Sequence, residues 1–373
     1  MSVFAFSHSL DPTETSRLRL AGAIYFSLAS RNVLGFGYCA VRQLPIGDST
    51  RRRDFVTILG GASATLPFAA VAQQAGRIYR YGILAPFSCE GTPVIVALSD
   101  EMRRRGFING QNLTNVCREF GSNIELTSEY AGELVKAKVD VIVAYGDVAV
   151  RAAQQATKTI PILAMTDDMV GSGLVNSLAR PNGNTTGISI LAAELDGKRQ
   201  EILIEAVPGI RRMAALTDAN NPAAKLEAPQ EAARVQNVEL SIYRIARGED
   251  VAAAIDMAKT SGATALNILA SPFLWTVRQL IMDRAAALRL PAIWQWPINA
   301  EEGGFAAYGP SADQISRDIT ARQLVQLFHG IKIADIPVEQ PTKFELVINL
   351  KTANAMGITV PPALLLRADK VIE

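Results

Sequence analysis

The sequence predicts an α/β protein made of two Rossmann-like lobes, each a parallel sheet wrapped by helices, joined by a hinge. Short runs rich in β-branched residues alternate with amphipathic segments, which is typical of such sheets. This alternation forms two successive series that meet near residue 192. Roughly 300 of the 373 residues belong to these series, which is enough for two domains of ordinary size.

The first lobe is predicted to span residues 73–192, and a helix at 312–330 is predicted to return to it. Its first helix, at 92–106, has Thr92 as the N-cap and Pro93 at the first helical position. The apolar run at 139–145 is typical of a strand buried on both faces. The predicted strands lie at 79–84, 113–120, 139–145, 161–165 and 186–191. The other helices lie at 126–138 and 148–157.

The second lobe is predicted to span residues 193–311 and to begin with a helix at 193–207. Its strands are predicted at 213–217, 239–245, 265–270 and 292–296, followed by a strand and a turn within 303–310. Its other helices are predicted at 222–235, 251–261 and 275–288. No flexible Gly/Ser linker separates the two series, so we expect crossing strands to form the hinge. Residues 331–373 are predicted to return across it.

An export signal of the twin-arginine type is predicted at residues 51–72. Three arginines precede an apolar stretch, and Ala70-Val71-Ala72 has the small-residue form that signal peptidase cleaves. Arg52 and Arg53 begin the twin-arginine pattern. We therefore predict cleavage after Ala72 and a periplasmic location. The alternative is a basic start to an ordinary buried helix, which the glycines and proline of this stretch would weaken.

Residues 1–50 show no clear amphipathic period. We interpret them as a disordered, non-native extension that results from a start site placed too far upstream. Translation would then begin near Val41 or Leu44.

Composition argues against several classes of function. The chain has 37 Lys and Arg against 36 Asp and Glu, with no basic run after residue 72, so nucleic-acid binding is not indicated. His329 is the one histidine after residue 72, and no C-x-x-C motif occurs, so neither a zinc site nor His-dependent catalysis is supported. We predict no cofactor and no enzymatic activity. Cys89 and Cys117 could pair in an oxidising periplasm, but we favour buried free thiols.

Long motifs carry a resemblance to a known family. They are the C-terminal run at 337–373 and the segments GFINGQNL (106–113), QQATKTIPIL (154–163), VGSGLVNSLARPNGNTTGIS (170–189) and ELDGKRQEILIEAVPGIRR (194–212). Over residues 78–373 the chain resembles bacterial ABC transporter substrate-binding proteins of the tryptophan/tyrosine type. The resemblance implies a monomeric type I periplasmic binding protein that closes over a small ligand. It also implies delivery to an ABC permease and its ATPase in the inner membrane.

Such a protein binds its ligand in the crevice at the carboxyl ends of the strands, where helix N-termini point backbone N–H groups at the ligand. Trp296 ends its strand, so we place it in the crevice, whereas we favour packing roles for Trp275 and Trp294. The predicted ligand-binding residues are Pro86, Phe87, Tyr145, Asp147, Asp168, Met169, Asp218, Asn221, Ser271, Phe273 and Trp296.

Two departures from the family pattern bear on the ligand. Relatives commonly have Gly-Thr-Pro after the third strand, where the Thr holds a carboxylate, but this chain has Gly146-Asp147-Val148. An ionised Asp147 would repel a carboxylate, unless it is a helix N-cap that points away. Asp168 matches the acid of the family's Asp-Pro-Val-Gly motif and is our candidate for binding an ammonium group. A cationic or amine-bearing aromatic ligand therefore fits better than an anion.

Three alternatives remain open at this point. A sensory binding protein that signals to a receptor would have the same sequence features. Asp147, Asp167 and Asp168 could instead bind a divalent metal in a metal-assisted hydrolase, although no nucleophile elbow or phosphate loop accompanies them. A repressor's effector domain would share the fold but needs a DNA-binding headpiece, where this chain has an export signal.

Overall fold

The computed structural model describes residues 76–219 and 226–373. The predicted extension and export signal lie outside the described residues, as do Asn221 and the start of the helix predicted at 222–235. Within the described part of the chain, no helix combines the length and the hydropathy needed to cross a membrane.

The first lobe is a five-stranded parallel sheet in the order β2-β1-β3-β4-β5. Its strands are β1 (Tyr79–Ala85), β2 (Leu113–Glu119), β3 (Val141–Tyr145), β4 (Ile162–Thr166) and β5 (Thr185–Ser189). Its helices are α1 (Pro93–Arg104), α2 (Leu126–Lys136) and α3 (Asp147–Ala156). The chain order reverses between β1 and β3, which is where doubly wound sheets place their ligands.

The second lobe is built on a seven-stranded sheet in the order β12-β11-β10-β9-β8-β6-β7. Its first strands are β6 (Arg212–Asp218), β7 (Glu239–Ile245), β8 (Leu266–Ile268), β9 (Ala292–Trp294) and β10 (Ala306–Gly309). Its helices are α4 (Ala192–Ala206), α5 (Glu227–Val235), α6 (Asp250–Thr260), α7 (Pro272–Thr276), α8 (Arg278–Ala287) and α9 (Pro297–Glu301). The two-lobed α/β fold predicted from the alternation is confirmed.

The chain after β10 contributes to both lobes. Helix α10 (Ala312–Ile315), a π-helical turn (Ser316–Thr320) and α11 (Ala321–Phe328) pack beside α1 on the first lobe. After a 3₁₀ turn (Ile333–Asp335) the chain adds β11 (Glu345–Asn349), α12 (Leu350–Met356), α13 (Pro362–Leu365) and β12 (Lys370–Ile372) to the second. Because β11 runs antiparallel to β10, the second sheet is mixed, and the expectation of a purely parallel sheet is wrong there.

Apolar side chains alternate between the two faces of each sheet, because successive residues of a strand point to opposite sides. Ile83 packs into the core formed with α1 and α11, whereas its neighbour Leu84 belongs to the core formed with α2 and α3. Val143 and Ile142 divide in the same way. The continuous apolar run of β3 is therefore explained by burial on both faces.

Three segments of the described chain pass between the lobes. Residues 190–191 lead from β5 to α4, whose apolar face packs on the second sheet. Residues 310–311 lead from β10 back to α10, and residues 340–344 lead from Glu339, bridged to Ile188 of β5, into β11. Leu191 has φ of 56°, a left-handed conformation that is uncommon for a residue other than glycine. These three segments are the candidate hinge.

A disulfide joins Cys89, in the loop after β1, to Cys117 in the neighbouring strand β2. Their Cα atoms lie 6.4 Å apart, within the range that disulfides span. The expectation of two free thiols is therefore wrong. The loop after β1 folds back beside β2, so both cysteines reach the same edge of the first lobe's core.

Candidate functional site: the cavity between the two lobes

A cavity of about 540 Å³ lies between the carboxyl ends of the two sheets. The first lobe contributes the loops after β1, β2, β3 and β4, and the second lobe contributes the end of β6 and the loops after β8 and β9. Parallel strands all end at the same edge of a sheet, so side chains far apart in sequence converge there. The volume lies within the range of small-molecule sites in proteins.

Most of the predicted ligand-binding residues line this cavity. They are Pro86, Phe87, Tyr145, Asp147, Asp168, Asp218, Ser271, Phe273 and Trp296. Met169 does not, because the turn after β4 buries its side chain completely, in the core beside Leu174 and Val175. That prediction is corrected: Met169 is a packing residue. Asn221 lies outside the described residues.

Aromatic side chains form much of the wall. The Phe87 and Tyr145 rings meet edge to face with centroids 5.0 Å apart, and Trp296 packs against the same core from the second lobe. Trp294 is buried, as expected for a packing role, but Trp275 lines the cavity beneath the Arg278 guanidinium, 4.2 Å from its ring. Rings contributed by both lobes favour a flat ligand held between them.

Asp147 occupies the first position of α3 and is half-buried in the cavity wall. Burial raises the pKa of its carboxyl, while a hydrogen bond from Ser172 and the charge of Arg151 lower it. Its side chain makes no N-cap hydrogen bond, since Gly146 is the N-cap. The structure therefore does not support the alternative that Asp147 is an N-cap pointing away from the ligand.

Asp168 and Asp218 each accept a local hydrogen bond. Asp168 Oδ1 accepts from the Gly171 backbone N–H at 2.8 Å, and Asp218 Oδ2 accepts from Ser271 Oγ at 3.0 Å. The second bond joins the ends of β6 and β8 within the second lobe. Both carboxyls therefore have fixed positions in the cavity lining, one contributed by each lobe.

Asp167 and Asp196 also line the cavity, Asp196 buried and Asp167 half-buried. Asp196 forms a buried ion pair with Arg199, which also donates to the Tyr308 carbonyl at 3.2 Å. Burial, followed by the charges of Asp147 and Asp196, raises the pKa of Asp167 to about 7, against an opposing effect of Arg199. Asp167 can therefore change its charge near neutral pH.

Some lining polar atoms have no hydrogen-bond partner among residues 76–219 and 226–373. Tyr145 Oη, Thr166 Oγ1 and Gln295 Nε2 are buried and unsatisfied. Burying such groups without a partner costs free energy, so their position at a cavity is typical of groups that bind a ligand or water.

The lining is strongly acidic. Its acidic members are Glu125, Asp147, Asp167, Asp168, Asp196, Asp218 and Asp313. Within the described part of the chain, Arg151 is the one basic residue among the lining side chains. Even with Asp196 neutralised by Arg199, the field in this cavity favours a cation.

Comparison with known proteins agrees with this geometry. The sequence profile of a family described as ABC transporter substrate binding protein matches residues 97–372. The chain belongs to this family. The resemblance predicted from the sequence motifs is confirmed, and the protein is a substrate-binding protein of the ABC transporter family.

Individual relatives share the same architecture with this substrate-binding protein. A tyrosine-binding protein from Clostridioides difficile (strain R20291) is 26% identical over 273 residues, which cover 71% of this chain and 75% of that protein. A conserved domain protein from Vibrio cholerae has a TM-score of 0.72 at 23% identity, covering 79% of this chain and 100% of its own. An ABC domain from Streptococcus pneumoniae, solved with L-Trp, has a TM-score of 0.71 at 21% identity, with the same coverage.

Sequence reasoning missed one wall of this binding protein's cavity. The loop after β2 contributes Phe120 and residues 121–125 to the lining. The signal was available, because this loop follows the carboxyl end of a parallel strand just as the predicted loops do. Arg151 and Gln295 were also missed. Arg151 lies in a helix interior and Gln295 at a strand end, and neither position shows from sequence alone that the side chain lines a cavity between two lobes.

The metal-assisted hydrolase alternative requires several ligands around one ion. Within the described ranges, no group of three or more His, Cys, Asp or Glu side chains is placed to hold a metal ion. Asp147, Asp167 and Asp168 line the same cavity but do not form such a group.

Proposed function

We propose that this substrate-binding protein is the solute-binding component of an importer and that its solute is an organic cation with an aromatic part. The observation that carries the proposal is the acidic lining, opposed among the described residues by Arg151 alone. A cation in a partly dry cavity is attracted by these carboxylates, whereas an anion is repelled.

The aromatic side chains of the cavity wall support the proposal that the solute has an aromatic part. Phe87 and Tyr145 of the first lobe and Trp296 and Phe273 of the second all line the cavity, so a ring can lie between the lobes. Aromatic faces also attract cations directly. Relatives named for tyrosine binding and solved with L-Trp make an aromatic solute a natural choice.

The amino-acid pose expected from the family fits less well. Asp147 stands at the start of α3, where the family's Thr would hold a carboxylate. A solute carboxylate there would meet the Asp147 carboxylate at a partly buried position. An aromatic amine without a carboxylate is therefore the solute class we favour.

The setting follows from the family and the proposed export signal. We place the mature protein in the periplasm, as a monomer without a cofactor or a catalytic role, after cleavage near Ala72. Its partners would be an ABC permease and its ATPase in the inner membrane. A receptor that senses the closed form remains the alternative, and uptake of a bound solute by cells lacking this protein would favour it.

Calorimetry with three matched probes tests the solute class on protein beginning at Gln73. Tyramine carries the amine alone, tyrosine carries amine and carboxylate, and 4-hydroxyphenylpropanoate carries the carboxylate alone. We expect tyramine to bind most tightly and the carboxylate probe not to bind. The order is expected because only tyramine avoids placing an anion beside Asp147.

The proposed attraction between the acidic lining and the cation is tested by removing one carboxylate, with a matched control outside the cavity. Asp218→Asn keeps the shape and an acceptor for Ser271 but removes a charge, so tyramine affinity should fall about three- to thirtyfold. Glu194→Gln, at an exposed position of α4 outside the lining, should leave affinity unchanged. Tight binding of 4-hydroxyphenylpropanoate would show that the proposed solute class is wrong.

A further inference from the structure

A second, smaller pocket continues the cavity into the second lobe. It offers about 20 Å³, where a single water molecule needs roughly 10–15 Å³. Five of its lining residues also line the main cavity: Leu269, Ser271, Trp275, Gln295 and Trp296. The small pocket therefore adjoins the solute cavity and has room for one small group, and we call it the side chamber.

Three unsatisfied donors belong to the residues that line this side chamber. Trp294 Nε1, Gln295 Nε2 and Asn299 Nδ2 have no hydrogen-bond partner within residues 76–219 and 226–373. Their residues are only 3%, 7% and 1% exposed. Strand β9 supplies the tryptophan, and α9, which begins at Pro297, supplies the asparagine.

Buried donors of this kind need an acceptor. An unsatisfied buried N–H costs free energy comparable to a lost hydrogen bond, so native proteins leave few of them. The indole Nε1–H can only donate, whichever way the two side-chain amides are turned. These donors make the side chamber a candidate site for an oxygen atom that accepts hydrogen bonds.

The charge beside the chamber limits what that oxygen can be. Ser271 lines the chamber and donates to the Asp218 carboxylate at 3.0 Å. A solute carboxylate in the chamber would lie close to the carboxylate of Asp218 and be repelled. A hydroxyl, ether or carbonyl oxygen avoids that cost.

We propose that the side chamber lined by Trp294, Gln295 and Asn299 is a subsite for a neutral hydrogen-bond-accepting oxygen of the solute. This inference rests on the proposed function, since it adds a feature to the same organic cation. The solute is then an aromatic amine that also bears a neutral oxygen.

Two probes that differ by one oxygen test the subsite. Tyramine has a phenolic oxygen and phenethylamine lacks it, so the ratio of their dissociation constants reports the subsite alone. We expect the wild-type protein to prefer tyramine by about three- to tenfold, the value of roughly one net hydrogen bond. The ratio should fall to near one in Trp294→Phe and in Asn299→Leu, each of which deletes a donor at similar side-chain volume.

Tyr81→Phe serves as the control variant. It removes a buried hydroxyl in the first lobe, outside both sets of lining residues, so the tyramine preference should persist. Because each ratio is taken within one variant, a general loss of folded protein does not change it.

The outcomes separate the two proposals. Equal binding of both amines to the wild-type protein would overturn the subsite and leave the proposed solute class standing. A crystal structure of the tyramine complex with water in the chamber would do the same. If neither amine binds, the proposed solute class fails and the subsite fails with it.

Discussion

The Asp167 carboxyl shows how one side chain can make solute binding depend on pH. Its pKa is raised to about 7 by burial and by the neighbouring acids Asp147 and Asp196. Below pH 7 the carboxyl is mostly protonated and neutral, and above pH 7 it is mostly ionised. An amine solute keeps its positive charge throughout this range.

We therefore expect tyramine affinity to rise severalfold between pH 6 and pH 8. The rise in affinity reflects the attraction between the cation and the carboxylate that Asp167 provides once it is ionised. Titration calorimetry at both pH values measures it, and Asp167→Asn should abolish most of the rise. A rise of equal size in Asp167→Asn would assign the pH dependence to another group.

The same carboxyl should have the opposite effect on stability. Because the pKa of Asp167 is higher in the folded than in the unfolded chain, the folded state holds the extra proton between about pH 4 and pH 7. Stability from this group is present at low pH and is lost as pH rises through 7. Asp167→Asn should raise Tm by about 1–3 °C at pH 8 and by less at pH 5, a modest shift because the carboxyl is only half-buried.

Position 171 requires a glycine because the Asp168 carboxyl lies very close to its Cα. A Cβ placed there would lie 2.1 Å from Asp168 Oδ2, so Gly171→Ala must displace either the loop or the carboxyl that its own N–H holds. We expect tyramine affinity to fall by about tenfold, in line with the ~1–3 kcal/mol cost of overpacking. Gly132→Ala, where nothing lies within 4 Å, is the control and should bind normally. Normal binding by Gly171→Ala would show that the loop has room to adjust.

The sequence predicted single residues well where their position follows from topology. Asp147, Asp218 and Trp296 were expected in the cleft because each ends a strand or begins the next helix, and all line the cavity. Met169 was not predictable in the same way, since the direction of its side chain is decided by a turn rather than by a strand. Gln295 and Asn299 become conspicuous only when it is known that Gln295 Nε2 and Asn299 Nδ2 have no hydrogen-bond partner among the described residues.

Among the elements, the loop after β1 depends on the disulfide. This loop carries Phe87, which meets the Tyr145 ring edge to face in the cavity wall, and Cys89, two residues later, joins the loop to β2. The bond closes a segment with a sequence separation of 28 residues, for which a contribution of about 2–4 kcal/mol is typical. The loop is thus held by one covalent bond close to the ligand.

Removing that bond should weaken both the fold and the site. We expect Cys89→Ala/Cys117→Ala to lower Tm by several degrees and to lower tyramine affinity, because the loop that carries Phe87 is no longer covalently joined to β2. Dithiothreitol should reproduce both effects in the wild-type protein and change nothing in the double variant. Identical Tm and affinity in the oxidised and reduced wild-type protein would contradict this role.

Strands were easier to predict than the helix at 312–330. Uninterrupted apolar runs such as Val141–Tyr145 identify buried strands from composition alone. The long helix has a π-helical turn at Ser316–Thr320, which depends on packing against α1 rather than on local preference. The pairing of β11 with β10 links distant segments, so local patterns could not show that it is antiparallel.

At the scale of the whole molecule, the lobes meet across the cavity at Gly146. A Cβ at this position would lie 3.1 Å from Cγ of Pro272 in the second lobe, and its φ is 86°. Gly146→Ala should therefore hinder closure and weaken tyramine binding. Small-angle X-ray scattering would measure closure as the decrease in radius of gyration that tyramine causes.

The matched control for this variant is Gly106→Ala. Gly106 has nearly the same φ, 87°, but nothing within 4 Å, so it reproduces the backbone strain without the contact between lobes. Closure should persist in Gly106→Ala and be reduced in Gly146→Ala. Equal effects of the two substitutions would attribute the loss to backbone strain alone.

The cysteine pair beside Phe87 also bears on when the protein can hold its cargo. The cytosol keeps thiols reduced, whereas the periplasm allows disulfides to form and persist. On the proposed export route, a precursor still in the cytosol would lack the disulfide that holds the Phe87 loop. It would therefore bind imported solute more weakly. Oxidation after translocation would then complete the site, so that the protein carries less solute out of the cytosol and binds tightly only in the periplasm.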